Sequence, residues 1–347
     1  MEVPGGQNEI DAPVKKDRLP FISVVITVLN VEATITRCIQ SILGVGYPRD
    51  TFEVIVVDGG SKDATLSKLS ALAGVKVLQD PGGTIGSGRN VGIRQAKGEI
   101  IAITDGDMTV DRRWLAEIAR EFEDSNVGAV GGPIWADPDS SGFSRFVGLL
   151  PEESLSRINY GRVPHDMLYT RNAAYRRSVL TEVGLFNESL VAAEDPELNW
   201  RVENAGYGLT FSPKIIVYHS HRSTLSSFIK QHFRNGVGCG QLVKVNPRVR
   251  HTRLRLLGAA GLPLGVCLLI AYALSGLNAL LCPLLAMTIG YLLYCVRHVA
   301  PVYAQTRKLG PSLIVLLLVI AWPPFWSLGL LCGLTKPIGK RGLAAAY

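Results

Sequence analysis

After Glu203 the chain contains no aspartate and no glutamate, although 144 residues remain. Those residues carry 15 Lys and Arg, a charge of +15, whereas residues 1–203 hold 29 acids against 21 bases, a charge of −8. Charges scattered over one soluble globular domain do not separate in this way, so the chain reads as two domains or one domain with an appendage. Six cysteines are present but no CxxC and no Cys/His spacing, which excludes a zinc site and a disulfide framework. Cys267, Cys282, Cys295 and Cys332 lie in or beside apolar runs and read as small packing residues in a reducing compartment. Residues 1–20 lack the apolar centre of a signal peptide. They read as a flexible lead-in, which leaves the large N-terminal portion in the cytosol. Internal repeats and low-complexity tracts are also missing.

Three stretches lack charge altogether: Leu256–Leu274, Leu277–Val296 and Leu313–Leu334, of 19, 20 and 22 residues. About 20 apolar residues suffice to cross a hydrocarbon core of about 30 Å. A pI near 9.1 would otherwise suggest nucleic acid; basic residues interleaved with apolar runs point to an anionic membrane and no nucleic-acid partner. Ahead of them, residues 222–255 carry eight Lys and Arg, and Leu225, Phe228, Ile229, His232 and Phe233 fall at helical spacing. This is the pattern of a basic amphipathic segment lying at a membrane interface.

With a cytosolic N-terminal domain, the first apolar segment exits and the second returns near Arg297. Arg297, Arg307 and Lys308 then stay cytosolic, as the positive-inside bias requires. A third full span would place Lys336, Lys340 and Arg341 outside, and Pro323-Pro324 interrupts its middle. The sequence therefore predicts that 313–334 is a re-entrant or broken hairpin packed on the first two spans, with a basic tail 335–347 in the cytosol. The expected location is the inner (plasma) membrane, with several passes.

Between residues 21 and 131 short β-branched runs alternate with helical periodicity. Phe21–Leu29, Glu53–Val57, Val75–Leu78, Glu99–Thr104 and Val127–Gly131 read as strands, with helices near residues 35–43, after Ser61 and Asp63, to Ala96, and from Asp111 to Glu123. Strands buried on both faces with helices between them predict an α/β, mostly parallel sheet. Residues 135–220 are less regular.

Ligands of such sheets bind beyond the carboxyl ends of the strands. Asp105 and Asp107, in Asp105-Gly106-Asp107, follow the buried strand EIIAIT at that position. Two carboxylates one residue apart can hold a hard divalent cation that bridges phosphate oxygens. Asp58 closes another buried strand and suits the edge of a base or ribose, while Ser61 or Asp63 caps the next helix. The glycines of Gly82–Gly92 are not a dinucleotide fingerprint, because the first βα turn, TVLNVE, has none. A helix opening there can still accept phosphate, with Arg89 as an added cation. Glu194-Asp195 opens a helix; it reads either as first-turn capping or as a general base near an acceptor hydroxyl. His219 in VYHSH reads as a metal ligand or as a structural histidine at a strand end.

The ordered set VVITVLNVEATITRCIQSIL, EVIVVDGGSKDAT, GSGRNVGI, ITDGD and AEDPELNWRVENAGY resembles the family-2 inverting glycosyltransferases with a GT-A (Rossmann-like) fold, over about residues 21–240. VVDGGSKD, SPKIIVYH and RSTLSSFIKQHFRNG look most like the succinoglycan-type exopolysaccharide branch, whose members build lipid-linked saccharides. The resemblance implies a GT-A domain over 21–221, with its nucleotide half about 21–134 and its acceptor half about 135–221. It further implies that Thr27 and Glu32 line the nucleotide pocket, Asp58 contacts the uracil and Arg89 lies near the nucleotide. Asp105 and Asp107 would match the DxD positions, with Asp107 the direct ligand of Mg2+ or Mn2+. Asp195 would be the base, supported by Glu194, and Gln231 and Arg234 would resemble the element that holds the diphosphate in processive relatives. Val31 stands where many relatives have Glu, and Asn235 where processive ones have Trp, which argues against a polymerase.

The implied reaction transfers a hexose from a nucleotide sugar, UDP-glucose by branch resemblance, to a polyprenyl-linked acceptor alongside other glycan-assembly proteins. Two alternatives stay open: a polyprenyl-phosphate glycosyl synthase, and a membrane-anchored nucleotide-binding scaffold without catalysis.

Overall fold

The computed structural model describes residues 19–81, 83–150, 159–249, 265, 268–335 and 338. Its centre is an eight-stranded sheet in the order β3-β2-β1-β4-β9-β6-β10-β8. The strands are β1 (Ile22–Val28), β2 (Phe52–Asp58), β3 (Lys76–Gln79), β4 (Ile100–Asp105), β6 (Val127–Gly131), β8 (Gly161–Arg162), β9 (Asn172–Arg176) and β10 (Gly208–Phe211). A three-stranded sheet, β5 (Met108–Val110), β11 (Val217–His219) and β7 (Ile134–Ala136), stands beside it in the order β5-β11-β7. The five strands expected between residues 21 and 131 are present, with ends shifted by a residue or so. β1 pairs in parallel with β2 and β4. β9, from the irregular stretch, inserts antiparallel between β4 and β6.

Alternation along the strands builds two apolar layers. Val24, Ile26, Val54 and Val56 pack under α1 (Ile35–Leu43) and α4 (Trp114–Glu121). Val25, Ile55, Val57 and Ile103 pack on the other face, under α3 (Ile85–Gln95), α6 (Arg177–Val183) and α7 (Glu194–Asn204). The helix after Asp63 is α2 (Thr65–Ser70), capped as expected: Asp63 Oδ1 accepts from Thr65 N at 3.0 Å. The glycines of α3 serve contact with the sheet. A Cβ at Gly92 would stand 2.5 Å from Val25 Cγ1, so α3 lies closer to the strands than a larger residue permits.

Gly142–Val147 forms α5, and Leu225–Val245 forms the long helix α8. Among the described residues two helices are long and apolar enough to cross a membrane: α9 (Leu281–Thr306), with a short turn before it, and α10 (Leu309–Thr335). Arg297, expected in a loop, falls inside α9; the reversal is confined to Arg307 and Lys308, with Arg307 at φ 53°. Of 256–274, residues 256–264, 266 and 267 lie outside the described residues, as do 1–18 and most of the tail; 268–275 are helical.

The expectation of a broken hairpin at 313–334 is not met. Leu309–Thr335 is one helix that runs through Pro323 and Pro324. Its C-terminal half is clamped along α8 by reciprocal glycines. Cβ atoms at Gly329 and Gly333 would stand 2.1 Å from Phe233 O and Val237 O, and one at Gly236 2.1 Å from Trp326 O. Backbones in such close contact hold the helix straight where local proline chemistry alone would interrupt it. Much of the apolar face of α8 is likewise covered by protein, although Leu225 stays exposed: Phe228 is buried with Val315, Leu318 and Val319, and the His232 ring stacks on Trp322.

Candidate active site

Two cavities meet beyond the carboxyl ends of β1, β2 and β4. The larger, about 310 Å3, is lined by Thr27, Asn30, Gly59, Asp80, Thr84 and Gly88 among others. The smaller, about 190 Å3, is lined by Arg89, Asp166, Tyr169, Arg171, Glu194 and Asp195 among others. Asp105, Asp107, Arg222 and Arg234 belong to both and form the junction.

The rim of the larger cavity begins at the first βα turn. Asn30 takes φ 53°, a conformation asparagine tolerates better than most residues. Its backbone N–H donates to Ser61 Oγ at 2.9 Å and its Oδ1 accepts from Lys62 N at 2.9 Å, so the turns after β1 and β2 are tied together. Asp58 is fully buried; its Oδ2 accepts from Gly60 N and Ser61 N, at 2.9 and 3.0 Å, and its Oδ1 has no hydrogen-bond partner. Thr27 lines the cavity, but Glu32 does not: its Oε2 accepts from Ala64 N at 2.8 Å on the exposed side of the turn.

Arg89 organises the smaller cavity. Its side chain is 2% exposed, and its guanidinium reaches Glu194 at 2.5 Å, Asp195 at 3.4 Å and Asp105 at 3.3 Å. Glu194 and Asp195 open α7 directly after Ala193, which adopts a left-handed φ of 65°. α8 supports that approach: a Cβ at Gly238 would meet Ala192 O at 2.5 Å, and Gln241 Oε1 accepts from Val191 N at 3.1 Å. The two acids of α7 divide their roles. Burial and the neighbouring Asp195 push Glu194 upward, against the pull of Arg89. Burial also opposes the charge on Asp195, but Arg89, the neighbouring Glu194 and the Thr170 N–H that donates to it hold its carboxyl below the usual range. The surroundings thus favour the neutral form at Glu194 and the charged form at Asp195.

At the junction, burial raises Asp105, with Arg89 opposing and Asp107 reinforcing the shift. Burial works against the charge of Asp107 too, yet His219, Arg222 and Arg171 hold it well below the carboxylate range. His219 is brought there by the pairing of β11 with β5, which sets it opposite Met108; its Nε2 lies 3.4 Å from Asp107 Oδ2. Asp107 Oδ1 is buried without a hydrogen-bond partner, as suits a carboxylate that binds a cation. Among the described residues no three His, Cys, Asp or Glu side chains form a ready cation site. These side chains therefore fit a divalent ion only in company with oxygens from a ligand.

Residues 23–184 match the family model described as glycosyl transferase family 2. Glycosyltransferase AglE of Haloferax volcanii is 31% identical over 230 residues, 63% of this chain and 73% of that relative. The chain belongs to glycosyl transferase family 2. Pre-mycofactocin glycosyltransferase of Mycobacterium tuberculosis is 30% identical over 233 residues, 63% of this chain and 48% of the relative. A dolichyl N-acetyl-alpha-D-glucosaminyl phosphate 3-beta-D-2,3-diacetamido-2,3-dideoxy-beta-D-glucuronosyltransferase of Methanococcus voltae is 23% identical, over 65% of this chain and 74% of its own. In structure, the mannosyltransferase PcManGT of Pyrobaculum calidifontis, solved with GDP-Man and Mn2+, superposes with a TM-score of 0.62 at 21% identity, covering 88% of each chain. The fold of this glycosyltransferase is thus the GT-A type that the motifs implied.

The structure gathers Thr27, Arg89, Asp105, Asp107, Glu194, Asp195, His219, Gln231 and Arg234 around the joined cavities. Asp58 lies between the lining residues Val57 and Gly59, and Glu32 stays outside. Sequence reasoning missed Arg171 and Arg222, both of which act on Asp107. Arg222 stood out only as one base among many in 222–255, and Arg171 sits in a stretch without clear periodicity. Removing the buried cation that three acids share should be costly. Arg89→Gln is expected to lose about 3–5 kcal/mol of stability, measured as a lowered unfolding midpoint of the purified full-length protein.

Proposed function

We propose that this glycosyltransferase is a membrane-bound, inverting hexosyltransferase acting from a nucleotide sugar onto a hydroxyl of a polyprenyl-linked saccharide. The observation that carries the reading is Asp195, 3.4 Å from Arg89 and accepting from Thr170 N, in a cavity joined through Asp105 and Asp107 to a second, larger one. The larger cavity would take the nucleotide, with the free Asp58 Oδ1 toward its base. Asp195 accepts the proton of the acceptor hydroxyl, and that oxygen attacks the anomeric carbon from the face opposite the diphosphate. The bond to the diphosphate breaks in the same displacement. Arg222 and Arg234, at the junction, stabilise the charge that develops on the leaving group. A divalent cation, Mg2+ or Mn2+, held by Asp105 and Asp107, would supply further charge stabilisation there.

The name of the Methanococcus voltae relative, which specifies a dolichyl-phosphate-linked sugar, supports a polyprenyl-linked acceptor. The two apolar helices support a location at the membrane bearing that carrier, with the catalytic domain in the cytosol and other glycan-assembly proteins at hand. UDP-glucose as donor and a place in exopolysaccharide synthesis rest on the likeness of the motifs to the succinoglycan-type branch.

Asp195→Asn is expected to keep donor affinity, read by calorimetry, and to lose at least about 100-fold in transfer; wild-type turnover would refute the base assignment. Because Asp195 is held low, its active form persists as pH falls until the depressed value is passed. The acid limb of kcat/KM should therefore lie below about pH 4, the ordinary aspartate range, in a pH profile of transfer. Asp107→Ala should abolish the gain in donor affinity on adding Mn2+ or Mg2+; calorimetry that shows the same gain in the variant would remove the cation from this site.

A further inference from the structure

Asp166 sits on the single turn His165–Met167, in the wall of the cavity that contains Asp195. Its Oδ1 is buried and has no hydrogen-bond partner. A buried carboxylate oxygen left in that state is unfavourable unless a ligand donates to it. The ion pairs of Arg89 go instead to Asp105, Glu194 and Asp195.

The turn is held against the helix that carries the base. Asn199 of α7 donates from Nδ2 to His165 O at 3.1 Å and to Leu168 O at 2.8 Å. His165 Nδ1 lies 2.6 Å from Glu203 Oε2, near the end of the same helix. Three residues beyond the turn, Thr170 N donates to Asp195 Oδ2 at 3.1 Å. Asp166 and Tyr169 thus keep a fixed offset from Asp195. Tyr169 lines the same cavity, with the Arg171 guanidinium 5.9 Å from its ring centroid.

An aromatic ring and a carboxylate on one wall match a sugar, which presents a C–H face and a rim of hydroxyl donors. We propose that Asp166 and Tyr169 form the subsite for the acceptor's terminal sugar, a conclusion that rests on the reading of transfer to a sugar hydroxyl. Asp166 accepts a hydrogen bond from a hydroxyl that does not react, and Tyr169 packs on the ring face. Both are positioning residues, and they turn the reacting hydroxyl toward Asp195. The subsite also discriminates by charge. A uronic acid whose carboxylate faced Asp166 would set two like charges together, so the Asp166 end of the subsite selects neutral sugars.

The test uses the full-length protein in lipid nanodiscs. The probes are methyl β-glycosides of glucose, galactose, mannose and N-acetylglucosamine, together with methyl β-glucuronide, titrated by saturation-transfer NMR. At least one neutral glycoside should bind the wild type about tenfold or more tightly than the glucuronide. In Asp166→Asn that preference should collapse, through weaker neutral binding and stronger glucuronide binding, while Asp166→Glu should restore part of it. Tyr169→Ala should weaken all the glycosides alike. A general loss of structure would not exchange one specificity for another. Binding of no neutral glycoside by the wild type would overturn the proposal, as would an unchanged neutral-to-uronate ratio in Asp166→Asn. Hydrolysis of a nucleotide sugar by the wild type, followed separately, tests glycosyl transfer itself; its absence would count against that reading while the glycoside ratio still decides the subsite.

Discussion

One guanidinium sets the geometry of this molecule's chemistry. Arg89 gathers an acid from the end of β4 and two from the start of α7, elements far apart in the chain, at distances of 2.5 to 3.4 Å. Burying a cation is unfavourable unless its partners are close and well placed; here three carboxylates and the Phe186 ring, 5.4 Å away, surround it. The arrangement acts in both directions. The acids make the buried arginine tolerable, and the arginine favours the charged form of Asp195 against the effect of burial. It reaches them because Gly88 and Gly92 allow α3 to press against β1 and β2.

The apolar helices are joined to this centre rather than merely appended. α10 lies along α8 through interlocked glycines, and α8 carries Gln231 and Arg234 into the cavities and supports Ala192, just ahead of the two acids of α7. Under the proposed membrane attachment, helices so connected would fix the site relative to the bilayer as well as hold it there. For an acceptor whose sugar is tethered to a lipid, that relation determines whether the hydroxyl and Asp195 can meet.

How far the sequence discloses this depends on whether the signal is local. β1, β2, β4 and β6 are legible because their β-branched runs are buried on both faces, and the strand-end rule then marks Asp58, Asp105 and Asp107. β9 is not legible: Asn172–Arg176 shows no alternation, and its place between β4 and β6 is fixed only by pairing with residues 42 to 76 positions away. His219 owes its role to the same kind of long-range pairing, through β5. Pro323-Pro324 misled because the proline rule is local, whereas the glycines that keep α10 continuous face a different helix. Glu32 misled in the opposite sense, since its neighbourhood in the motif is right but its carboxylate caps the start of α2.

The central claim is that a charged Asp195 drives a single displacement at the anomeric carbon. The stereochemistry of the product tests it most directly: full-length protein in lipid nanodiscs, a nucleotide sugar and an acceptor, with the new anomeric proton followed by NMR during turnover. An α-linked donor should yield a β-linked first product. An α-linked first product would require two displacements or a front-face reaction, and would contradict the account.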